Sequence, residues 1–266
     1  MSDILLERSE FLVLMNAVRA SAVVGIATDK LFPSKKSKLK AEIERGIDLL
    51  KQRGLLRVES GIHVINAELV AMATAIAHPE IAVLTTRDNP GQGQQLFLHY
   101  QSDSMVIEQT FPNEREHRLA QIPDTQALVG RIQEILPVTD EPTNSGASAT
   151  MEQKVFFKVK EYAEKHKRDT AVTTLHQYGL TNGQAEQLID SIQHPIIGGN
   201  VALLKCEGEE IVDARNLALV QGQQSSWSIR QAEQEPQLFI IETTNSSAVR
   251  LLLSSWLTEL TLVKTT

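Results

Sequence analysis

The sequence predicts an internally duplicated α+β fold, with antiparallel strands flanked by helical bundles about a pseudo-two-fold axis. Three observations carry this expectation. A helix-like segment stops at His78-Pro79 and is followed by the apolar run Ile81-Ala82-Val83-Leu84. A second helix-like segment stops at His194-Pro195, followed by Ile196-Ile197, two glycines and Val201-Ala202-Leu203-Leu204. Each stretch then continues into further strand-like runs and closes on an amphipathic helix, over 124–136 in one and 245–257 in the other. A pattern written twice is a statement about architecture. The expected organisation is a first αβ half over 1–137, a polar linker over 138–150, and a second αβ half over 151–266. Merging the two sheets into one body would cover strand edges that isolated sheets leave open.

In the first half, Phe11, Leu14, Met15 and Val18 share one helical face. A loop holding Thr28-Asp29 and Phe32-Pro33 comes next. Ser37 is the expected cap of a helix carrying Leu39, Ile43, Ile47 and Leu50, and Gly54 follows it where a helix end favours positive φ. Two short strands, 55–58 and 62–65, flank Glu59-Ser60-Gly61. Asn66 caps the next helix, and Ile65 and Val70 are spaced as a hydrophobic staple. That helix ends at His78-Pro79 because proline cannot continue the ladder and restricts the residue before it. Strands are expected over 81–86, 95–101, 105–110 and 115–122, with turns at Asn89-Pro90-Gly91 and Ser102-Asp103-Ser104. Asp124 caps the closing helix.

The segment 138–150 is rich in Pro, Asn, Ser and Gly, which marks a linker. Helices are then expected over 153–167, 170–178 and 182–193, the last opened by the capping-box pattern Thr181-Asn182-Gly183-Gln184. Strands are expected near 200–206, 210–220, 224–231 and 237–242. The closing helix places Val249, Leu252, Leu253, Trp256 and Leu260 on one face.

Composition narrows the function classes. The chain has 266 residues, 42% apolar and 22% charged, with a net charge of −7. Both halves are mildly acidic, which argues against a general phosphate-binding face. The single cysteine, Cys206, excludes an internal disulfide and every multi-cysteine zinc spacing. It ends an apolar run and reads as a buried small hydrophobe. The N-terminal residues lack a basic region followed by a long apolar segment, and no stretch approaches a membrane span. The cytoplasm is the expected compartment.

No catalytic motif is legible, so no catalytic, cofactor-binding or metal-ligating residues are assigned, and a non-enzymatic protein is expected. The seven histidines show no metal-ligand spacing. His78 and His194 occupy equivalent places, and histidine at a helix end complements the dipole without further function. An enzyme using either would need it in a cleft. Gly91-Gln92-Gly93 lacks the third glycine and following helix of a dinucleotide fingerprint, and Gly198-Gly199 lacks the Lys-Ser/Thr of a phosphate loop. Trp227 lies in a polar strand-like segment with Arg230. The tryptophan fits either core packing or an exposed anchor, and the two residues are the candidate partner contacts. Lys35, Lys36 and Lys38 belong to a basic cluster ahead of a helix, two strands and a helix, an order close to a winged helix. This keeps a nucleic-acid-associated regulator over 30–77 as the alternative, although the helix over 66–77 holds no Lys or Arg with which to grip phosphate.

The run Glu42 to Leu56, EIERGIDLLKQRGLL, is followed by a short glycine turn and Val64-Ile65-Asn66-Ala67-Glu68-Leu69. A helix then breaks at a proline before a strand. This layout resembles the EspG family, cytosolic chaperones linked to type VII secretion in actinobacteria, in order and length over nearly the whole chain. The resemblance implies a quasi-two-fold fold with a central antiparallel sheet and two helical bundles. It also implies a chaperone that holds the aggregation-prone helical tip of a secreted PE/PPE-type heterodimer until export. It carries over no individual contact residues. The expected partner is a helical protein, and exposed strand edges leave homodimerisation open.

Overall fold

The computed structural model describes residues 3–91, 93–103, 105–140 and 146–262. The expectations at Gln92, at Ser104 and at 141–145 of the linker lie outside the described residues. Along the chain, β1 (Asp3–Glu7) runs directly into α1 (Arg8–Ala17), followed by the short α2 (Thr28–Leu31) and α3 (Lys36–Gln52). A hairpin of β2 (Leu56–Glu59) and β3 (Ile62–Ile65) precedes α4 (Ala67–Ala77). Then come β4 (Ile81–Asn89), β5 (Gly93–Ser102), β6 (Met105–Asn113), β7 (Glu116–Ile122) and α5 (Thr125–Ile135). The chain continues through β8 (Ser148–Glu152), α6 (Gln153–Glu164), α7 (Arg168–Gln177) and α8 (Asn182–Gln193). It ends with β9 (Ile197–Glu207), β10 (Glu210–Gln221), β11 (Ser226–Gln231), β12 (Leu238–Thr243) and α9 (Ser246–Leu262). The fold class is α+β, with antiparallel strand pairs throughout the described ladders.

Helix boundaries follow local chemistry. The Asn66 side-chain oxygen accepts from the amides of Glu68 at 2.8 Å and Leu69 at 3.3 Å, satisfying donors that a helix start leaves free. Asp124 and Asn245 do the same for α5 and α9, at 2.7 and 2.8 Å. Thr181 and Gln184 exchange bonds as a capping box, at 2.9 and 3.3 Å. Ser37 is not the cap of α3. That helix starts one residue before it, with Lys35 at the cap position and no side-chain cap bond. The loop expected around Thr28 closes into the single turn α2.

Two strands escape the sequence reading. Residues 3–7 are too few to show a period, and they become β1 by pairing with β7, Asp3 opposite Ala120 and Glu7 opposite Glu116. Residues 148–150, expected to be linker, belong to β8, which pairs with β12. Both strands feed straight into helices with a glutamate at the cap, Glu7 at φ −68° and ψ 154°, Glu152 at φ −62° and ψ 141°. Two residues past the end of α1, Arg19 has φ 58°. Two past the end of α6, His166 has φ 57°. His78 closes α4 at φ −133° and ψ 59°, and His194 closes α8 at φ −132° and ψ 59°. In each case the following proline keeps the histidine out of the α region while its own amide still bonds the carbonyl four residues back.

The chain divides into two compact units. The first holds the chain up to Leu84, then Leu96–Leu128 and Leu204–Asp213. The second holds Thr85–Gln95, Val129–Leu203 and the chain from Ala214.

In the first unit the strand order is β1-β7-β6-β5-β4, and the Cys206 amide bonds the Glu80 carbonyl at 2.9 Å. α1 is buried nearly all round, with Phe11, Leu12, Leu14 and Met15 inside. Gly46 of α3 lets α1 approach closely: a Cβ there would sit 2.1 Å from the Ser9 carbonyl oxygen. Glu10 is buried too. It accepts both from Arg53 at 2.9 Å and from the Glu7 amide at 2.7 Å, so the carboxylate is satisfied rather than stranded. Deeper in the sheet, Tyr100 donates to the Val24 carbonyl at 2.8 Å and lies 3.2 Å from the Gln109 amide oxygen. The Gln109 amide nitrogen meets His117 Nδ1 at 2.7 Å. Phe11 stacks on the His117 ring with centroids 4.3 Å apart, and Phe111 meets it edge-on at 5.4 Å. Burial, with the nearby positive charge of Arg8 second, lowers the His117 pKa from 6.5 to about 4. The imidazole is therefore neutral in the folded protein.

In the second unit the order is β9-β10-β11-β12-β8. Its core joins Ala149, Met151, Trp227, Ile229 and Ile241 from the strands to Phe156, Val159, Leu175, Leu188 and Ile189 from α6, α7 and α8. Gly199 of β9 lies against the backbone of Thr86, where a Cβ would come 2.1 Å from the carbonyl oxygen.

Two measurements follow. Gly46→Ala drives a methyl group into rigid backbone and is expected to destabilise by about 1–3 kcal/mol. Gly130→Ala, in open space inside α5, is expected to stabilise by about 0.5–1 kcal/mol; urea midpoints of both variants check the pair. For His117, the unfolded chain takes up a proton below pH 6.5 that the folded chain refuses until about pH 4. Stability therefore falls as pH drops through that window, by about 3 kcal/mol, and is unaffected by this group above it. His117→Gln should remove that part of the slope, whatever its stability at neutral pH, in urea titrations run across the window.

Candidate partner-binding surface

Alternation along the strands of the second unit decides which residues face the helices and which face the other way. Phe239 and Ile241 of β12, Ala149 and Met151 of β8, and Trp227 and Ile229 of β11 pack on α6, α7 and α8. Trp227 has no exposed surface, and its indole N–H donates to Ser225 Oγ at 2.8 Å. As a partner contact it is thus misplaced. Its polar neighbours in sequence mark the opposite face of the strand, and the tryptophan itself takes the core side.

Arg230 lies on that opposite face. The register sets Arg230 opposite Ile240 and Ile240 opposite Thr150. One rung on, Ser228 stands opposite Glu242 and Glu242 opposite Ser148. The Arg230 guanidinium meets the Glu242 carboxylate at 3.4 Å. A partly exposed pair of this kind contributes at most about 1 kcal/mol to stability. It does provide charges that a partner can re-pair.

A cleft of about 380 Å³ opens here between the sheet and α9, lined by Ser148, Ser228, Arg230, Glu242, Ala248 and Leu252. α9 forms its wall and is fixed along its length. Gln133 donates to the Ser246 carbonyl and hydroxyl at 2.8 and 2.9 Å, and Arg250 bonds Gln133 at 3.0 Å. Arg215 pairs with Glu259 at 2.6 Å and lies 5.9 Å from the Trp256 ring. Leu251, next to Leu252 in sequence on α9, is 71% exposed. β8 ends the strand order, so its outer edge offers backbone donors and acceptors. A cleft with a fixed helical wall, a short polar floor and apolar flanks has the makings of a helix-docking groove.

Other exposed apolar residues lie elsewhere. Phe157 on α6 is 57% exposed and sits in a trio with Phe156 and Phe239, at centroid distances of 6.3 and 5.9 Å. In the first unit, Val58 and Ile62 project from the β2–β3 hairpin.

Lys35, Lys36 and Lys38 are exposed at the start of α3. The helix after the hairpin, α4, puts Leu69, Met72, Ala73 and Ile76 into the core and exposes Ala67, Glu68 and Thr74. It therefore has no cationic side chain to present to a phosphate. His78 is exposed with Nε2 3.2 Å from the Val18 carbonyl, and His194 is also exposed; neither lines the cleft. Gly198 and Gly199 lie within β9. Cys206 is buried, and burial pushes its thiol pKa up, the opposite of an activated cysteine. Among the described residues, no group of three or more His, Cys, Asp or Glu is placed to hold a metal ion. None of the described helices is long and apolar enough to cross a membrane.

The sequence reading missed Ser148, Glu242 and Leu252. A signal existed for the first: Ser148-Ala149-Thr150-Met151-Glu152 alternates polar and apolar, but the surrounding prolines and serines hid it.

No family model matches the chain, and no curated protein matches it. Among solved structures, the chain is similar to the Mycobacterium tuberculosis type VII secretion system chaperone EspG5, solved in complex with a PE25-PPE41 dimer. The match has a TM-score of 0.70 and covers 96% of each chain at 11% identity. At that identity the likeness shows a shared fold: this chain has the EspG-like α+β architecture over essentially its full length.

Proposed function

We propose that this protein is a non-enzymatic cytoplasmic chaperone of the EspG kind, which holds a helical partner protein before export. The observation that carries the reading is a fold shared end to end with a secretion chaperone that is itself solved with a bound protein dimer. The cleft beside α9 supports it. It combines the charged pair Arg230–Glu242 with Ala248 and Leu252, the mixture that an amphipathic helix can meet. The matched backbone angles at His78 and His194, and the matched strand-to-helix junctions at Glu7 and Glu152, support an internally duplicated chain. In this reading one copy of the ancestral half became the partner-binding one.

The test is affinity capture from the native host, with co-purified protein identified by mass spectrometry and nucleic acid followed by absorbance. The expected result is a stoichiometric helical protein. The double variant Arg230→Glu, Leu252→Asp is expected to weaken its binding by about 30-fold, the loss typical of hot-spot residues, with the thermal melt retained. Nucleic acid that leaves at raised salt would favour the lysines of α3 instead. A self-associated chain without any partner would point to β8 as a homodimer edge.

A further inference from the structure

The first unit contains a second cavity, which the partner-binding reading does not use. It measures about 680 Å³, within the range of small-ligand sites. Its apolar wall is built from Ile26, Leu31, Leu96 and Phe111. Leu31 is buried, and the other three are half-buried. Arg8, Lys30 and His117 supply its polar side.

These three groups are arranged as donors. Among the described residues, the acids flanking Arg8 in sequence are already engaged: Glu7 pairs with Arg45, and Glu10 pairs with Arg53. No carboxylate pairs with Arg8 or with Lys30 there. His117 is 5% exposed, and its ring is held by Phe11 and Phe111. Its Nδ1 meets the Gln109 amide nitrogen at 2.7 Å. An amide N–H can only donate, so Nδ1 accepts and the imidazole proton sits on Nε2. Nε2–H has no protein partner among the described residues, in a side chain that lines the cavity. Opening on the cavity, this N–H is free to donate to a ligand there. Glu114 is the single carboxylate of the lining, and it stands on the exposed β6–β7 turn.

We propose that this cavity binds a small amphiphilic anion, an apolar chain ending in a carboxylate. The chain lies against Leu31, Leu96 and Phe111, and the carboxylate accepts from His117 Nε2–H and is neutralised by Arg8 and Lys30. Charge-assisted bonds of this kind are the stronger class of hydrogen bond. The apolar wall would leave a simple inorganic anion with most of the cavity empty. A neutral amphiphile would leave the two cations unmatched.

The experiment uses the full chain and three probes in isothermal titration: decanoate, decan-1-ol and decyltrimethylammonium. The expected result is one decanoate per chain, bound about tenfold or more tightly than either other probe. The double variant Arg8→Gln, Lys30→Gln should lower decanoate affinity by about tenfold or more and abolish the preference over decan-1-ol. Ala27→Phe, which adds a ring to the lining, should block all binding while the circular-dichroism melt stays cooperative. Decanoate giving no saturable heat would overturn the proposal. So would equal affinity for decanoate and decan-1-ol, or unchanged binding in the double variant. None of these outcomes bears on the protein partner, since the double variant in the α9 cleft reports on that separately.

Discussion

Adjacent residues of a strand point to opposite faces, and in β11, β12 and β8 this pleat sets both the core and the surface. The helices α6, α7 and α8 take the face with Trp227, Ile229, Ile241 and Met151. Arg230, Glu242 and Ser148 are then necessarily on the other face, beside α9. A slip of one residue in the β11–β12 register would exchange the two sets, bringing a guanidinium into the core and an indole to the surface. The burial of Trp227 is what forbids that slip, so the cleft inherits its composition from the core behind it.

Close approach is a second constraint. α1 is buried nearly all round, so it must be met by backbone as well as by side chains. Gly46 allows α3 to reach Ser9, and Glu10 carries its charge inside only because Arg53 and the Glu7 amide both reach it. The same unit holds the chain Tyr100–Gln109–His117, whose buried polar groups bond one another and the Val24 carbonyl. His117 also lines the cavity.

The two halves of the chain reuse junction geometry closely. A strand enters a helix at a glutamate cap, the chain turns through positive φ at Arg19 or His166, and a His-Pro pair ends another helix before a strand. The surfaces carried by this shared geometry differ. One unit has a ligand-sized cavity lined by two cations that no carboxylate pairs among the described residues, and the other has a cleft walled by a fixed helix.

The amino-acid sequence by itself determined many of the helix starts and stops, though not the start of α3 at Lys36 or the single turn α2. The caps at Asn66, Asp124 and Thr181, and the ends at Gly54, His78 and His194, depend on bonds and sterics within about four residues, so their chemistry is legible in place. The four strands after each His-Pro were legible for the same reason, since turn residues bound them. The tertiary structure alone decided the rest. β1 and β8 exist because β7 and β12 pair with them, and five-residue segments show too little period to be read alone. Whether Trp227 faced the core or a partner depended on which face of β11 the helices cover. The cavity around His117 gathers residues from α1, α2 and the β6–β7 turn, and no spacing along the chain predicts that meeting. Local rules reach one turn of helix, whereas burial and binding sites are set by segments that only folding brings together.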